Sequence, residues 1–467
     1  MADRSRLYRM AETPATKDMV NDFVKFINDS VTPFHAVANM KKMLTGAGFT
    51  YLVEGSNWPE LAKGGKYFVT RNDSSIVAFT VGGKYEQGNG FKITGAHTDS
   101  PNLMLKPRYN TKKAAYFGVG VQPYGGGLWH TWFDRELTVA GRVLVQKKGE
   151  DRVRKALVNL KDPIMRIPSL CIHLRDAADR NKLEPNKDNH VHPLIATELM
   201  AKAVEEAVEG AKADNILSRL LAEAAGCTPE EILDFDLSVV DTQPAVVGGA
   251  YKEFVFAPRL DNLMSCYACL KALIETEGSV AEDKMVRMVA MFDNEECGSS
   301  SSPGAAGSLI PDLLERLCPD TTKRTVCIAN SFLMSVDGAH CAHPNYMDKH
   351  EEHHRPNLHE GPVIKYNANQ RYATTGATAA TVKALAKRCD VPIQEFVVRN
   401  ESPCGSTIGP ILTTLSGIKG VDIGNAMLSM HSIRETCGTV DLVYMKNLMM
   451  EFYANYEKAM VDVEPLE

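Results

Sequence analysis

Apolar residues in this chain form short runs that end in polar, mostly acidic, residues. Residues 286–291 (VRMVAM) have the length and composition of a buried strand, and the adjacent acids Glu295 and Glu296 follow in FDNEECGS. Residues 91–96 predict another strand, which ends before His97 and Asp99. Because open α/β sheets build their sites at the carboxyl ends of strands, we expect these polar residues to serve one site.

Apolar positions with helical spacing flank these strands. Residues 16–47 predict two helices that are separated at Pro33. A further helix begins near Asp261, which places a carboxylate at a helix N-terminus, where it is either a cap or a functional group. Cys266 and Cys269 lie on this helix without a second pair at zinc-ribbon spacing, so we interpret them as buried core thiols.

The pattern changes between residues 106 and 250, which contain glycine-rich, strand-like pieces and a helical stretch at about 195–225. We interpret 106–250 as a smaller, β-rich domain inserted into a larger one that comprises 1–105 and 251–467. Trp129 and Trp132 fall in the insertion, and a core role and a subunit-contact role are equally favoured for them.

Composition excludes several classes of function. The net charge is -6, and no long basic run suggests a nucleic-acid partner. No run of 18 apolar residues suggests a membrane span, and the polar N-terminus lacks the apolar core of a secretory signal. Eleven scattered cysteines are typical of free thiols in a reducing compartment, so a cytoplasmic location is expected.

Adjacent carboxylates such as Glu295 and Glu296 repel each other, and a metal would supply the counter-charge. The polar residues at element ends comprise two histidines and four carboxylates: His97, Asp261, Glu295, Glu296, Asp337 and His431. Two metals that share one carboxylate would use five of these groups and leave one acid as a general base. Mixed nitrogen and oxygen ligands without thiolate favour zinc, with manganese or cobalt as substitutes.

Two other features need an interpretation. Asp99 is placed to accept a hydrogen bond from His97 and so to orient a ligating imidazole, although such a pair is more often a simple loop contact. The histidine-dense stretch at 340–359 lacks the i, i+4 spacing of a helical zinc motif, so we do not expect it to form the main metal site.

Long motifs across nearly the whole chain resemble the aspartyl aminopeptidase family of dinuclear zinc peptidases. They are GAHTDSPNL, YGGGLWHTWFDRELTVAGRV, RLDNL, FDNEECGS, SVDGAHCAHPNY, QRYATT, VRNESPCGSTIGP and SMHSIRE. The resemblance implies a three-layer α/β catalytic domain with a mixed central sheet flanked by helices, and an inserted dimerisation domain. It also implies a tetrahedral dodecamer built from dimers, and removal of N-terminal Asp or Glu from peptides.

The resemblance also implies roles for individual residues. One zinc would be held by His97, Asp261 and Asp337, and the other by Asp261, Glu296 and His431. Glu295 would be the general base that takes a proton from the attacking water and passes it to the leaving amine. His173 would reach a neighbouring subunit's site and steady the oxyanion, while Lys365 and Tyr372 would bind the acidic side chain of the substrate.

Some positions depart from the family pattern, among them Gln122, Pro123 and Cys297, which lies next to Glu296. None of the three is an expected ligand, but they leave loop shape and substrate breadth open. Three other functions remain to be distinguished: a zinc carboxypeptidase or deacylase on the same scaffold, an aminopeptidase indifferent to the side chain, and a non-catalytic assembly protein.

Overall fold

The computed structural model of the protein describes residues 4–177, 180, 182–212 and 214–460. Within these residues the chain forms two compact units. The first contains 4–99, 245–430 and 435–460, and the second contains 100–244 together with 431–434. The bounds that the sequence suggests for the insertion, 106 and 250, lie a few residues after the bounds of the second unit, 100 and 244. The role of the insertion in dimerisation stays a prediction.

The helices and strands are numbered in chain order. The helices are α1 (Arg4–Ala11), α2 (Pro14–Asp29), α3 (Pro33–Gly46), α4 (Glu198–Ala207), α5 (Ile216–Ala225), α6 (Leu260–Glu275), α7 (Leu309–Leu317), α8 (Thr321–Asn330), α9 (Gly376–Arg388), α10 (Ile408–Ser416) and α11 (Thr439–Asn455). The strands are β1 (Thr50–Tyr51), β2 (Lys66–Arg71), β3 (Ser75–Val81), β4 (Phe91–His97), β5 (Asn102–Lys113), β6 (Tyr116–Tyr124), β7 (Leu137–Val145), β8 (Arg154–Asn159), β9 (Leu194–Thr197), β10 (Ile232–Asp241), β11 (Val246–Gly248), β12 (Phe254–Ala257), β13 (Val286–Phe292), β14 (Phe332–Val336), β15 (Ala339–His340), β16 (Val363–Lys365), β17 (Gln394–Phe396), β18 (Lys419–Gly424), β19 (Ala426–Leu428) and β20 (Glu435–Gly438).

The first unit is organised around a nine-stranded sheet with the order β1-β2-β3-β13-β4-β14-β18-β16-β17. Its four central strands, β13, β4, β14 and β18, are mutually parallel, while β3 and β16 join them in antiparallel fashion. The predicted mixed sheet is therefore confirmed. A smaller five-stranded sheet with the order β11-β12-β20-β19-β15 also belongs to this unit.

Helices cover both faces of the large sheet, as the alternation of side chains along β13 shows. Val289 and Met291 pack into a core shared with α2, α3, α6, α9 and α11, whereas Met288 and Ala290 pack into a second core with α7, α8 and α10. Burying one large aliphatic side chain stabilises the fold by roughly 1.5–3 kcal/mol, so two buried faces explain why every residue of β13 except Arg287 is apolar. The predicted three-layer α/β arrangement is confirmed.

The second unit contains a six-stranded sheet in which every pairing is antiparallel, with the order β8-β7-β10-β5-β6-β9. Trp129 and Trp132 are buried in its core with their rings 6.3 Å apart, so the core alternative holds for both within this chain. The single helical stretch predicted at about 195–225 is wrong in detail. Strand β9 occupies its start, and two separate helices, α4 and α5, follow.

In the part of the chain that the structure describes, no helix is both long enough and apolar enough to cross a bilayer.

Candidate active site

The parallel strands at the centre of the first unit end at one edge of the sheet. His97 is the last residue of β4, and it lies in register with Phe292, the last residue of β13. Asp337 follows β14, the other parallel neighbour of β4. Asn294 adopts a left-handed backbone conformation (φ 63°), which turns the chain after β13 into the short 3-10 turn of Glu295 and Glu296.

Asp261 reaches the same place from the N-terminus of α6. Its backbone departs from helical angles, and its N–H donates to Oε2 of buried Glu435 at 3.1 Å. The next residue, Asn262, donates from Nδ2 to the carbonyl of Val336 at 2.8 Å, which ties the start of α6 to the end of β14. These contacts hold the carboxylate of Asp261 beside the strand ends.

The imidazole of His97 lies at the centre of the cluster. Its Nε2 atom is 3.2 Å from Oδ1 of Asp261, 3.4 Å from Oδ1 of Asp337 and 3.9 Å from Oε2 of Glu295. The His97 side chain is only 2% exposed, so the carboxylates converge on a nitrogen that water hardly reaches.

Asp99 supports this arrangement in two ways. Nδ1 of His97 lies 3.1 Å from the carbonyl oxygen of Asp99 and 3.4 Å from its Oδ1, which agrees with the orienting role expected for Asp99. The carboxylate of Asp99 also accepts the backbone N–H of Glu295 at 3.2 Å and that of Glu296 at 3.0 Å. One buried acid thus orients the histidine and holds the backbone of the acid pair.

The electrostatics of the cluster call for added positive charge. Burial lowers the pKa of His97, but hydrogen bonds to Asp261, Asp337 and Asp99 outweigh burial and raise that pKa well above its ordinary value. Burial also raises the pKa of Glu295, and the nearby carboxylates add to the effect, while His97 opposes it. Several acids crowded around one imidazole are the environment that a bound cation would stabilise.

The donor atoms fit zinc. His97, Asp261 and Glu296 each offer one ligand atom, and the three atoms lie within 4.8 Å of one another. Across the described residues this is the one group of three or more His, Cys, Asp or Glu that is so arranged. One imidazole nitrogen with carboxylate oxygens is a ligand set that zinc accepts.

Cys266 and Cys269 are fully buried in α6, as predicted for core thiols, and the thiol of Cys266 donates to the carbonyl of His97 at 3.0 Å. Within the histidine-dense stretch, His354 lies 2.5 Å from Glu351, and the ring of His350 accepts the N–H of His343 at 2.9 Å.

Lys365 and Tyr372, expected to bind the substrate, lie beside the cluster. Both are buried, and Nζ of Lys365 is 3.3 Å from Oδ2 of Asp337 and 5.4 Å from the centre of the Tyr372 ring. Burial raises the pKa of Tyr372, so its hydroxyl keeps its proton at neutral pH and is able to donate a hydrogen bond. A buried ammonium next to a protonated phenol suits an anionic group.

The two remaining residues that the sequence singles out belong to the second unit. His431 places Nδ1 2.9 Å from the carbonyl of Gly126. His173 is exposed in the short 3-10 turn Ile172–Leu174, and the side chains on both sides of it are exposed as well. The roles of His431 and His173 stay predictions.

A family model described as aminopeptidase I zinc metalloprotease (M18) matches residues 26–453 of the chain. The chain belongs to the M18 family. It is 44% identical to the aspartyl aminopeptidase of Dictyostelium discoideum, an alignment that covers 96% of this chain and 98% of the relative. The resemblance to aspartyl aminopeptidases that the motifs carry is thereby confirmed.

Solved structures agree with this assignment to the M18 family. The chain has 43% identity and a TM-score of 0.91 to a protein in the cryo-EM structure of the Ape4 and Nbr1 complex, over 96% of this chain and 88% of that one. It has 30% identity and a TM-score of 0.81 to the mApe1 dodecamer of S. cerevisiae, over 95% of this chain and 98% of that one.

Sequence reasoning missed two acids that support this M18 site. Glu435 accepts the N–H of Asp261, and Asp422 accepts the N–H of Ala373, next to Tyr372. Asp422 carried a usable signal, because it is a single acid within the strand-like run KGVDIG and is completely buried in β18. Glu435 had no comparable signal, since its motif SMHSIRE drew attention to the histidine instead.

Proposed function

We propose that the protein is a zinc-dependent aminopeptidase that removes N-terminal Asp or Glu from peptides. The observation that carries this proposal is the convergence of His97 and its carboxylates at one sheet edge, beside the buried ammonium of Lys365, in a chain of the M18 zinc metalloprotease family. Relatives named aspartyl aminopeptidase support the acidic specificity.

The site would hold two zinc ions per subunit, with manganese or cobalt as substitutes. His97, Asp261 and Asp337 would bind one ion, and Asp261, Glu296 and His431 the other. The short distances from His97 to Asp261 and Asp337 support the first set. The close approach of Glu296 to His97 and Asp261 supports the use of Glu296 as a ligand beside the first set.

When bound, zinc supplies Lewis-acid chemistry that polarises a peptide carbonyl and makes attack by water feasible at neutral pH. Glu295 accepts the proton of the attacking water and delivers it to the leaving amine. Its carboxylate is mostly buried, with 15% of the side chain exposed, and its backbone N–H donates to Asp99, so the backbone that carries the base is held before the substrate arrives.

Specificity would come from Lys365 and Tyr372. The ammonium of Lys365 would pair with the side-chain carboxylate of the N-terminal residue, and the hydroxyl of Tyr372 would donate a second hydrogen bond. An N-terminal Leu has no carboxylate for either group, so the buried ammonium of Lys365 would keep only its contact with Asp337. Acidic residues are therefore favoured.

Assembly would complete the site through His173 of a neighbouring subunit, which would stabilise the developing oxyanion. We propose a tetrahedral dodecamer built from dimers, supported by the dodecamer of the S. cerevisiae relative. Exposed Leu170, Ile172 and Leu174 around His173 support a subunit contact at this segment. All eleven cysteines are free thiols, which supports a cytoplasmic location.

The proposal is tested with the purified protein and a panel of peptides that differ only in the N-terminal residue. Free Asp and Glu should be released, activity should disappear on chelation, and zinc should restore it. Peptides with an acetylated N-terminus should resist cleavage. Cleavage of the acetylated peptides, with none of the free ones, would indicate a deacylase or carboxypeptidase instead. Equal rates on Asp and Leu peptides would indicate a broad aminopeptidase, and inactivity at full zinc loading and correct assembly would indicate a non-catalytic protein.

A further inference from the structure

Asp422 is a fully buried acid in β18 whose two oxygens are both engaged. Oδ2 accepts the backbone N–H of Ala373, and Oδ1 accepts the hydroxyl of Thr407, each at 2.6 Å. The start of α10 approaches so closely that a Cβ atom at Gly409 would lie 2.3 Å from Oδ2. Burying a carboxylate is costly, so an acid at this position of an apolar strand indicates a specific task.

The task that the contacts indicate is to hold residues 373 and 374. The Asp422 side chain accepts the N–H of Ala373, and its own N–H donates to Oγ1 of Thr374 at 3.0 Å. Two consecutive residues are thus bonded to one residue of the central sheet. Tyr372 comes directly before them, so its backbone has little freedom to move away from the site.

Asp422 is also the neighbour of Lys365 across the sheet. Ile364 of β16 pairs with Ile423 of β18 in antiparallel register, so the next residues along the two strands, Lys365 and Asp422, are adjacent. Asp422 therefore lies next to the lysine and bonds the residue that follows the tyrosine. It connects the two groups that would bind an acidic side chain.

We propose that Asp422 is a positioning residue for acidic specificity: through Ala373 and Thr374 it holds Tyr372 against Lys365. This inference rests on the proposed function, because it assigns the support of the same pocket. Asp422 itself does not contact the substrate. Its loss should weaken recognition of the acidic side chain and leave the zinc ligands in place.

Three variants test this role. Asp422→Ala removes both side-chain hydrogen bonds. Asp422→Asn keeps them, because its carbonyl accepts from Ala373 and its amide donates to the Thr407 hydroxyl. Asp441→Ala is the matched control, since Asp441 is another fully buried acid that accepts two backbone N–H groups, from His359 and Gly361.

The assay measures kcat and KM on matched fluorogenic Asp and Leu substrates, together with the zinc content of each variant. Asp422→Ala should raise KM for the Asp substrate and reduce the Asp-to-Leu ratio of kcat/KM at least about tenfold, a loss typical of one well-placed hydrogen bond to a charged group. Asp422→Asn should keep the ratio within about threefold of wild type. Asp441→Ala should lower thermal stability without changing the ratio.

An unchanged ratio in Asp422→Ala at full zinc content would overturn the inference, and so would an equal loss in the Asn and Ala variants. If Asp422→Ala does not fold, Thr374→Val removes the hydrogen bond between the Asp422 N–H and Oγ1 of Thr374 and should shift the Asp-to-Leu ratio in the same direction. An unchanged ratio in Thr374→Val would also overturn the inference. The Asp-to-Leu ratio of the wild type distinguishes failure of the proposed function from failure of the positioning role alone. A wild type without preference for Asp refutes the proposed function, whereas a preference that survives the Asp422 variants refutes only the positioning role.

Discussion

Replacing Lys365 by Met should abolish the preference for acidic N-termini. Methionine keeps much of the length and volume of the lysine side chain but removes the charge. Lys365 is 3% exposed, with Nζ 3.3 Å from Asp337, so its ammonium is largely desolvated before any substrate binds. A substrate carboxylate that meets a desolvated ammonium gains more than it would on an open surface.

The size of the effect follows from this geometry. A hydrogen bond to a charged group contributes about 1.5–3 kcal/mol, and truncating one partner of a buried ion pair costs about 3–5 kcal/mol. Because Asp337 already shares the charge of Lys365, the loss should lie toward the lower values, at about 2–4 kcal/mol. That corresponds to a decrease of roughly 30- to 1000-fold in kcat/KM for an Asp substrate.

The assay compares kcat/KM on Asp and Leu substrates in wild type, Lys365→Met and Lys383→Met, with zinc content measured in each. Lys383 is an exposed lysine of α9 paired with Glu395, so the same substitution there should leave both constants within about twofold. Equal losses on Asp and Leu substrates would refute charge recognition by Lys365. Loss of zinc would show that Lys365 acts by supporting Asp337.

Three further outcomes are expected. Glu295→Gln should retain zinc and assembly but lose roughly 10²- to 10⁴-fold in kcat. If this variant turns over substrate as fast as wild type at full zinc content, Glu295 is not the base. Asp283→Ala leaves buried Lys92 and Arg287, now 2.7 and 2.6 Å from one shared oxygen, without their anion. It should lower the free energy of unfolding in urea by about 3–5 kcal/mol, and a loss below about 1 kcal/mol would show that the network contributes little. Burial lowers the pKa of His35 to about 4, so the folded state favours the neutral ring. The free energy of unfolding that depends on neutral His35 is fully present above pH 6.5 and is lost as the pH falls toward 4; the loss is at most about 3 kcal/mol. His35→Gln should remove this part of the pH dependence, which urea unfolding at a series of pH values measures.

The sequence was informative where a residue type and its place on an element carried the argument. The strand before Glu295, the strand that ends at His97 and the helix that begins near Asp261 could be predicted from local patterns. The alternating burial of β13 shows why its apolar run pointed to a strand covered on both faces.

Contacts between distant parts of the chain could not be predicted in this way. Nothing local shows that Asp99 accepts the N–H groups of residues almost 200 positions later, because that contact depends on β4 and β13 being parallel neighbours. Glu435 was missed for the same reason, since its partner Asp261 lies in α6, 174 positions earlier in the chain. The resemblance to a family identified the expected ligands, but not the residues that support them.

The contact between Glu435 and Asp261 has a consequence for biosynthesis. Glu435 is the first residue of β20, and the residue whose backbone it holds, Asp261, lies 174 positions earlier in the chain, at the N-terminus of α6. A ribosome-bound chain that ends before residue 435 lacks this support. The backbone of Asp261 can therefore be held in this way only after residue 435 has been synthesised.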